Sequence, residues 1–306
     1  MKPIIRKTNN RPAVRSAARP PAAVELSSRG AVAATGTPPV YGHASLAAGA
    51  LRPGVADVNL PLPDAVTAAL REALDAVRPP KRVVTLVVPD PCVRVFVLDF
   101  DTLPGKAAEV RSILRFRLRK MVPFDVEQAG ISYQVLAQAR HDCRVLVAVV
   151  PGAVQAEYEA VVRAAGYEPG ALLSATLAAL ENLQSKEPEL VVHVAEEGLT
   201  TAIVAGDDLT LYRWLELPSP TEEPLRTSLI ERGIGVAMAY FEDKTGAAPT
   251  RIHCFGELSA EDLAGLHSLA GVRAVELVAD PTTGAATALG NASVAAATGA
   301  LKGAGL

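Results

Sequence analysis

The chain has few of the residues that build stapled, metal-bound or membrane-spanning proteins. Its three cysteines, Cys92, Cys143 and Cys254, are far apart, odd in number and contain no CxxC. A disulfide framework or a zinc site is therefore excluded, and reduced, buried thiols are expected. No run approaches the ~18 apolar residues that a membrane-crossing helix needs, and no charged-then-apolar leader opens the sequence; a cytoplasmic address is expected. Walker-type GxxxxGK[ST] and GxSxG motifs are missing, which removes the usual P-loop and serine-hydrolase readings. The five histidines (His43, His141, His193, His253 and His267) are scattered, and neither His141-x-Cys143 nor His253-Cys254 has metal-ligand spacing. Aromatics are only 4 %, and the formal net charge of −3 gives no global case for nucleic-acid binding. What remains is a 306-residue chain, 49 % hydrophobic and rich in alanine. That suits a soluble α/β protein with two lobes.

Residues 81–136 organise the reading. Arg82 to Val88 and Val93 to Phe100 alternate apolar and β-branched residues and read as strands. A helix follows, with Thr102 as cap and Pro104 in the first turn. Val110, Ile113, Leu114, Leu118 and Met121 form its apolar stripe, and Pro123 ends it. The other face carries Arg111, Arg115 and Arg119 four residues apart, with Arg117 and Lys120 beside them. Two readings fit this face: a solvated surface whose last-turn cations favour the helix dipole, or a surface for an acidic partner or phospholipid headgroups. Arg111, Arg115, Arg119 and the Pro123-Phe124 corner are the candidate partner contacts, since aromatics beside arginines often anchor interfaces.

Along the chain, residues 1–22 hold six cations, several prolines and no acid, which predicts a disordered basic arm. Val24 to Leu26 with Gly30 to Ala34 reads as a short hairpin, and residues 35–63 as Pro- and Gly-rich loop. Asp64 is read as the N-cap of a helix from Ala65 to Val77. Arg144 to Val150 reads as a strand covered on both faces, followed by a helix over 153–165 stopped by Gly166 and a second helix from Ala171 to Leu183. After the link 184–189, Leu190 to Ala195, Leu199 to Ala205 and Leu209 to Leu215 form a three-stranded meander. A helix over 222–243 contains Gly233-Ile-Gly235, a pair better explained by close packing than by a dinucleotide. Strand Arg251 to Phe255, helix Glu261 to Leu269, strand Val272 to Val278 and a small-residue helix from about Ala285 to Leu301 complete the chain. No internal sequence repeat is visible.

The order strand, Leu103-Pro104, basic helix with Glu109 and Arg115-Phe116-Arg117, Val122-Pro123-Phe124, then the strand Tyr133-Gln134-Val135-Leu136 resembles the PilM family of type IV pilus assembly proteins. That family is grouped with FtsA and the cytoplasmic domain of GspL. The resemblance implies an α/β, actin-like (ribonuclease H-like) fold of two lobes with an FtsA/PilM-type inserted subdomain. On this chain the first lobe would span 23–185, the insertion about 91–148 and the second lobe 186–306. It also implies the places where phosphate loops would lie. There the sequence reads Val24-Glu25-Leu26-Ser27-Ser28, then His193-Val194-Ala195-Glu196-Glu197-Gly198-Leu199-Thr200, then Gly256-Glu257. Glu25, Ser28, His193, Ala195, Gly198, Thr200, Gly256 and Glu257 thus stand where a nucleotide would be held, without the Asp-x-Gly turns that cradle phosphate and organise a metal.

Three functions follow as expectations. The first is a non-catalytic cytoplasmic scaffold, peripheral to the inner membrane of a type IV pilus or type II secretion platform, with no cofactor, metal or catalytic residue. The resemblance implies a PilN-like single-pass partner whose short cytoplasmic segment docks in a groove of the first lobe. Pilus motor or platform subunits and a second copy of the chain are further contacts, and the inserted module would help with the latter. The second is an ATPase or ATP-gated switch of the same fold. The third is an unrelated α/β enzyme with a strongly perturbed acid or histidine in a discrete pocket.

Overall fold

The computed structural model describes residues 19–56, 58–139, 142–183, 185–206, 208–218, 223–256, 273–277 and 294–302. Its strands fall into three sheets. The first contains β1 (Ala22–Ser27), β2 (Gly30–Thr35), β3 (Val40–Ser45), β4 (Val83–Val88) and β8 (Glu168–Ser174), in the order β3-β2-β1-β4-β8. The first three pair antiparallel, and β1, β4 and β8 run parallel. The second sheet repeats that plan with β9 (Glu189–Ala195), β10 (Gly198–Ala205), β11 (Asp208–Glu216), β12 (Arg251–Gly256) and β13 (Arg273–Glu276), in the order β11-β10-β9-β12-β13. A repeat invisible in the residues is therefore plain in the topology.

Helices α1 (Pro63–Val77) and α3 (Gly152–Ala164) cover one face of the first sheet. Their apolar stripes, Val66, Leu70, Leu74 and Val77 with Val154, Tyr158, Val161 and Val162, pack on Val24, Leu26, Val84 and Leu86. The long loop before α1 is tied down by Glu157 of α3, whose carboxylate accepts from the backbone N–H of Asn59 (3.0 Å) and Leu60 (2.7 Å). Gly166, in the left-handed region, ends the last turn after α3. Helix α4 (Ala175–Leu180) and the last described helix, α6 (Ala295–Lys302), cover the other face. The alanine content has its use here: Ala175, Ala178, Ala179, Ala295, Ala296 and Ala300 let helices and strands approach closely. Helix α5 (Glu223–Thr245) lies on the second sheet, where Gly233 makes room for the Leu199 side chain, as close packing requires.

The third sheet, β5-β7-β6, is antiparallel and lies between β4 and α3 in the chain: β5 (Arg94–Phe100), β6 (Gly130–Ala139) and β7 (Asp142–Val150). Helix α2 (Ala107–Leu118) packs Val110, Leu114 and Leu118 on Cys143, Val145, Val147 and Val149 of β7. The opposite face of this sheet turns to the lobes through Val97, Leu136 and Leu146. Arg94 over the Trp214 ring (5.2 Å) and Arg144 to Asp208 (3.3 Å) tie it to β11.

Several expectations are corrected. Residues 19–22 are not part of a disordered arm, because Ala22 pairs with Thr35 in the sheet and Arg19 meets Glu181. The Pro- and Gly-rich stretch 35–63 contains β3, held by pairing to β2. Residues 171–174, expected to start a helix, instead belong to strand β8, since pairing with β4 overrides the helical bias of Ala171-Leu172-Leu173. Asp64 lies inside the first turn of α1 while Leu62 is the cap residue, and α2 starts after Lys106, so Thr102 caps nothing. Strand β7 alternates buried and half-buried residues because only its α2 face is sealed. The last helix, expected in the second lobe, instead packs as α6 on β1, β2, β4 and α4 of the first. Small residues alone do not say which sheet they will meet. The helix Glu261 to Leu269 and the earlier part of the final helix lie outside the described residues.

Gly299 of α6 is the tightest contact of that docking: a Cβ there would come within 1.9 Å of Ala178 O. Gly299→Ala should therefore push α6 off α4 and cost about 1–3 kcal/mol, read as a lowered thermal midpoint by circular dichroism.

Candidate functional site

Three chain segments converge where the two large sheets face each other. After β4 the chain makes a single tight turn, Asp90–Cys92, that buries the Asp90 carboxylate. From the first lobe, Thr176 at the start of α4 donates its backbone N–H to Asp90 Oδ1 (2.9 Å) and its hydroxyl to Oδ2. From the second lobe, Thr200 Oγ1 of β10 (2.7 Å) and His193 Nδ1 of β9 (2.9 Å) both donate to Oδ2. One carboxylate thus holds both lobes. The His193 ring stacks on Phe255 at 4.1 Å and 8°, which fixes its plane. Gly256, φ +101°, follows directly: a Cβ there would meet Val194 O at 2.1 Å and His193 Cδ2 at 2.6 Å, so only glycine lets β12 run this close to β9.

Burial pushes the Asp90 carboxyl up, but the hydrogen bond and charge of His193 and the two bonds from Thr176 outweigh it, and its value falls to about 2. Glu25 of β1 goes the other way. It is buried beside Asp90 and His193, and its Oε2 has no hydrogen-bond partner. Burial raises it to about 7; His193 lowers it, while Asp90 adds to the rise. Around these groups lies a cavity of about 20 Å³ lined by Glu25, Asp90, His193, Glu197, Thr200 and Trp214, room for little more than a water molecule. Among the described residues its walls carry three carboxylates and no lysine or arginine. The hairpin turn beside it is stapled by Arg226 of α5, which donates to Ala195 O (2.8 Å) and Glu196 O (2.7 Å).

Of the residues singled out in the sequence, Glu25, His193, Gly198 and Thr200 line this cavity together, with Ala195. Ser28 is buried in the β1–β2 turn, and Gly256 packs behind His193. Glu257 lies outside the described residues. Asp90 and Thr176 were missed. A carboxylate directly after an apolar parallel strand, in Val88-Pro89-Asp90-Pro91, is the available signal, because open α/β sheets gather their sites at the carboxyl ends of strands. The candidate partner contacts are elsewhere, on the inserted module. There Arg115 reaches Ala129 O (3.4 Å), Arg119 pairs with Glu127, Arg111 and Pro123 are exposed, and Phe124 is half-buried against the module core. The aromatic that stands out to solvent is Phe116, 72 % exposed.

The raised Glu25 value makes a signed prediction. Below about pH 4.5 the folded and unfolded chains both hold this proton. As pH rises towards 7 the unfolded chain releases it first, so folding loses stability through that window, by up to about 3 kcal/mol. Glu25→Gln removes the loss. Its gain over the parent in denaturant melts should therefore be larger at about pH 8 than at about pH 5, by roughly that amount; an equal effect at both would contradict the assignment.

No protein-family model matches the sequence, and no curated protein does. Solved structures do. The chain is similar to one described as "PilM-PilN type IV pilus biogenesis complex", with a TM-score of 0.74 and 19 % identity, covering 93 % of this chain and 98 % of that one. It is similar to the ethanolamine utilization protein EutJ from Carboxydothermus hydrogenoformans, with a TM-score of 0.51 and 13 % identity over 93 % and 90 % of the two chains. The cytoplasmic domain of EpsL, an inner membrane component of the type II secretion system of Vibrio cholerae, matches at a TM-score of 0.45 and 14 % identity over 78 % and 82 %. Two sheets of one topology, a third inserted after β4 and a site between the lobes, with near-complete coverage of a chain of the PilM-PilN complex, identify a PilM-like, actin-like α/β fold.

Proposed function

We propose that this chain is a non-catalytic cytoplasmic scaffold of a type IV pilus or type II secretion platform, peripheral to the inner membrane. In this reading it docks the short cytoplasmic segment of a PilN-like single-pass protein on its first lobe. The observation that carries the proposal is the correspondence, over nearly the whole of both chains, with a PilM chain from a PilM-PilN complex. Among the described residues no helix is long and apolar enough to cross a membrane, which fits a chain recruited by a partner.

The cleft supports the non-catalytic half. A triphosphate needs backbone N–H groups, a cation and space. This cleft offers carboxylates, a cavity of about 20 Å³ and a hairpin whose carbonyls are taken by Arg226. Asp90 and Glu197 oppose an anion, and the Asp90 bonds already occupy the junction of the lobes.

Calorimetric titration tests both halves. A synthetic peptide matching the short cytoplasmic segment of a PilN-like single-pass protein should bind with micromolar affinity, with or without Mg-ATP. Absence of peptide binding would remove the docking role. Saturable Mg-ATP binding at micromolar concentration would replace the scaffold with an ATP-gated switch.

A further inference from the structure

The sheet of the inserted module turns one face to the lobes and the other to α2, so α2 is the module's outer layer. At 100° per residue, its buried line through Val110, Leu114 and Leu118 places Phe116 close to the outward crest. Arg111, Arg115 and Arg119 descend one flank, and Arg117 and Lys120 the other. Ile113 (37 % exposed) sits about 60° from Phe116 on the Lys120 flank, and Met121 (40 %) lies past the end of α2. No acid occurs between Val110 and Phe124. Arg115 and Arg117 donate to the main-chain carbonyls of Ala129 and Asp99, which orders them without neutralising them, while Arg119 is balanced by Glu127. The face is therefore cationic and convex, with an aromatic at its summit.

We propose that this face of α2 contacts an anionic lipid surface, with Phe116 and Ile113 entering the boundary beneath the headgroups and Arg111, Arg117 and Lys120 among them. The charge calls for an anionic partner, and the geometry selects a lipid surface. A protruding ring on a convex helix needs a partner that yields around it, which a headgroup layer does and a short acidic peptide does not. The contact is independent of the PilN-like docking, since it requires no partner protein.

Flotation of the full chain with phosphatidylcholine vesicles, with and without phosphatidylglycerol, tests it. The chain should float only with the anionic vesicles, and less as salt rises. Arg111→Glu with Lys120→Glu should lower partition by roughly tenfold or more, and Phe116→Ala should lower it further, with thermal midpoint and peptide binding unchanged. No flotation on anionic vesicles overturns the proposal. So does flotation that survives the helix variants but is lost on removing residues 1–18, which would assign it to the arm. Variants that lose self-association or partner recovery while still floating would assign the face to a protein and overturn it equally.

Discussion

Everything in the two-lobed body depends on how one buried carboxylate is kept ionised. Asp90 gives up its water at the junction of both lobes and the inserted module, a desolvation of several kcal/mol. Four donors return it: the Thr176 amide and hydroxyl, Thr200 Oγ1 and His193 Nδ1. Hydrogen bonds to a charged acceptor contribute roughly 1.5–3 kcal/mol each, which is enough to offset the burial and holds the group near 2. Because two donors come from each lobe, the same bonds that solvate the charge also set the distance between the sheets. Removing any of them leaves a charge, and not merely a gap.

That arrangement also decides what the cleft favours. Glu25 is buried against the ionised Asp90, and although the charge of His193 works against the rise, its response is to keep its proton up to about pH 7. A second buried negative charge is resisted even when it is the protein's own. An incoming polyanion meets the same field with more charge and less freedom to neutralise itself. In the proposed role this is consistent with a cleft that has become a structural joint.

Legibility followed the range over which each signal acts. Strands β4, β5, β9, β10 and β12 were readable because β-branched runs report a pleated, buried surface locally. Strand β8 was not: Ala171-Leu172-Leu173 favours a helix until β4 offers its edge. Strand β3, six residues beside a Pro-rich turn, carries too little pattern to stand out. In the site, Glu25, His193 and Thr200 are marked by the family resemblance, which implies where phosphate loops would lie, whereas Asp90 and Thr176 acquire meaning only through bonds spanning 86 to 110 residues. The outward face was half readable. Spacing placed the arginines on one side of α2, but only the packing of the module reveals that Phe116 crowns that side and Phe124 does not.

The low aromatic content takes on meaning in this light. Large side chains are scarce where the lobes are built, since α4 and α6 approach through alanines and Gly299 and the sheets are lined with valine and leucine. Close approach of small residues gives a dense core with few rotamers to freeze. Aromatic rings then mark particular tasks: Phe255 fixes the His193 plane, Trp214 joins β11 to the module under Arg94, and Tyr158 fills the space between Cys92 and α1. Phe116 has no such task within the chain. A ring left outside by a fold this sparing with rings, on the layer farthest from the lobes and flanked by cations, is most simply accounted for by something beyond the chain that covers it.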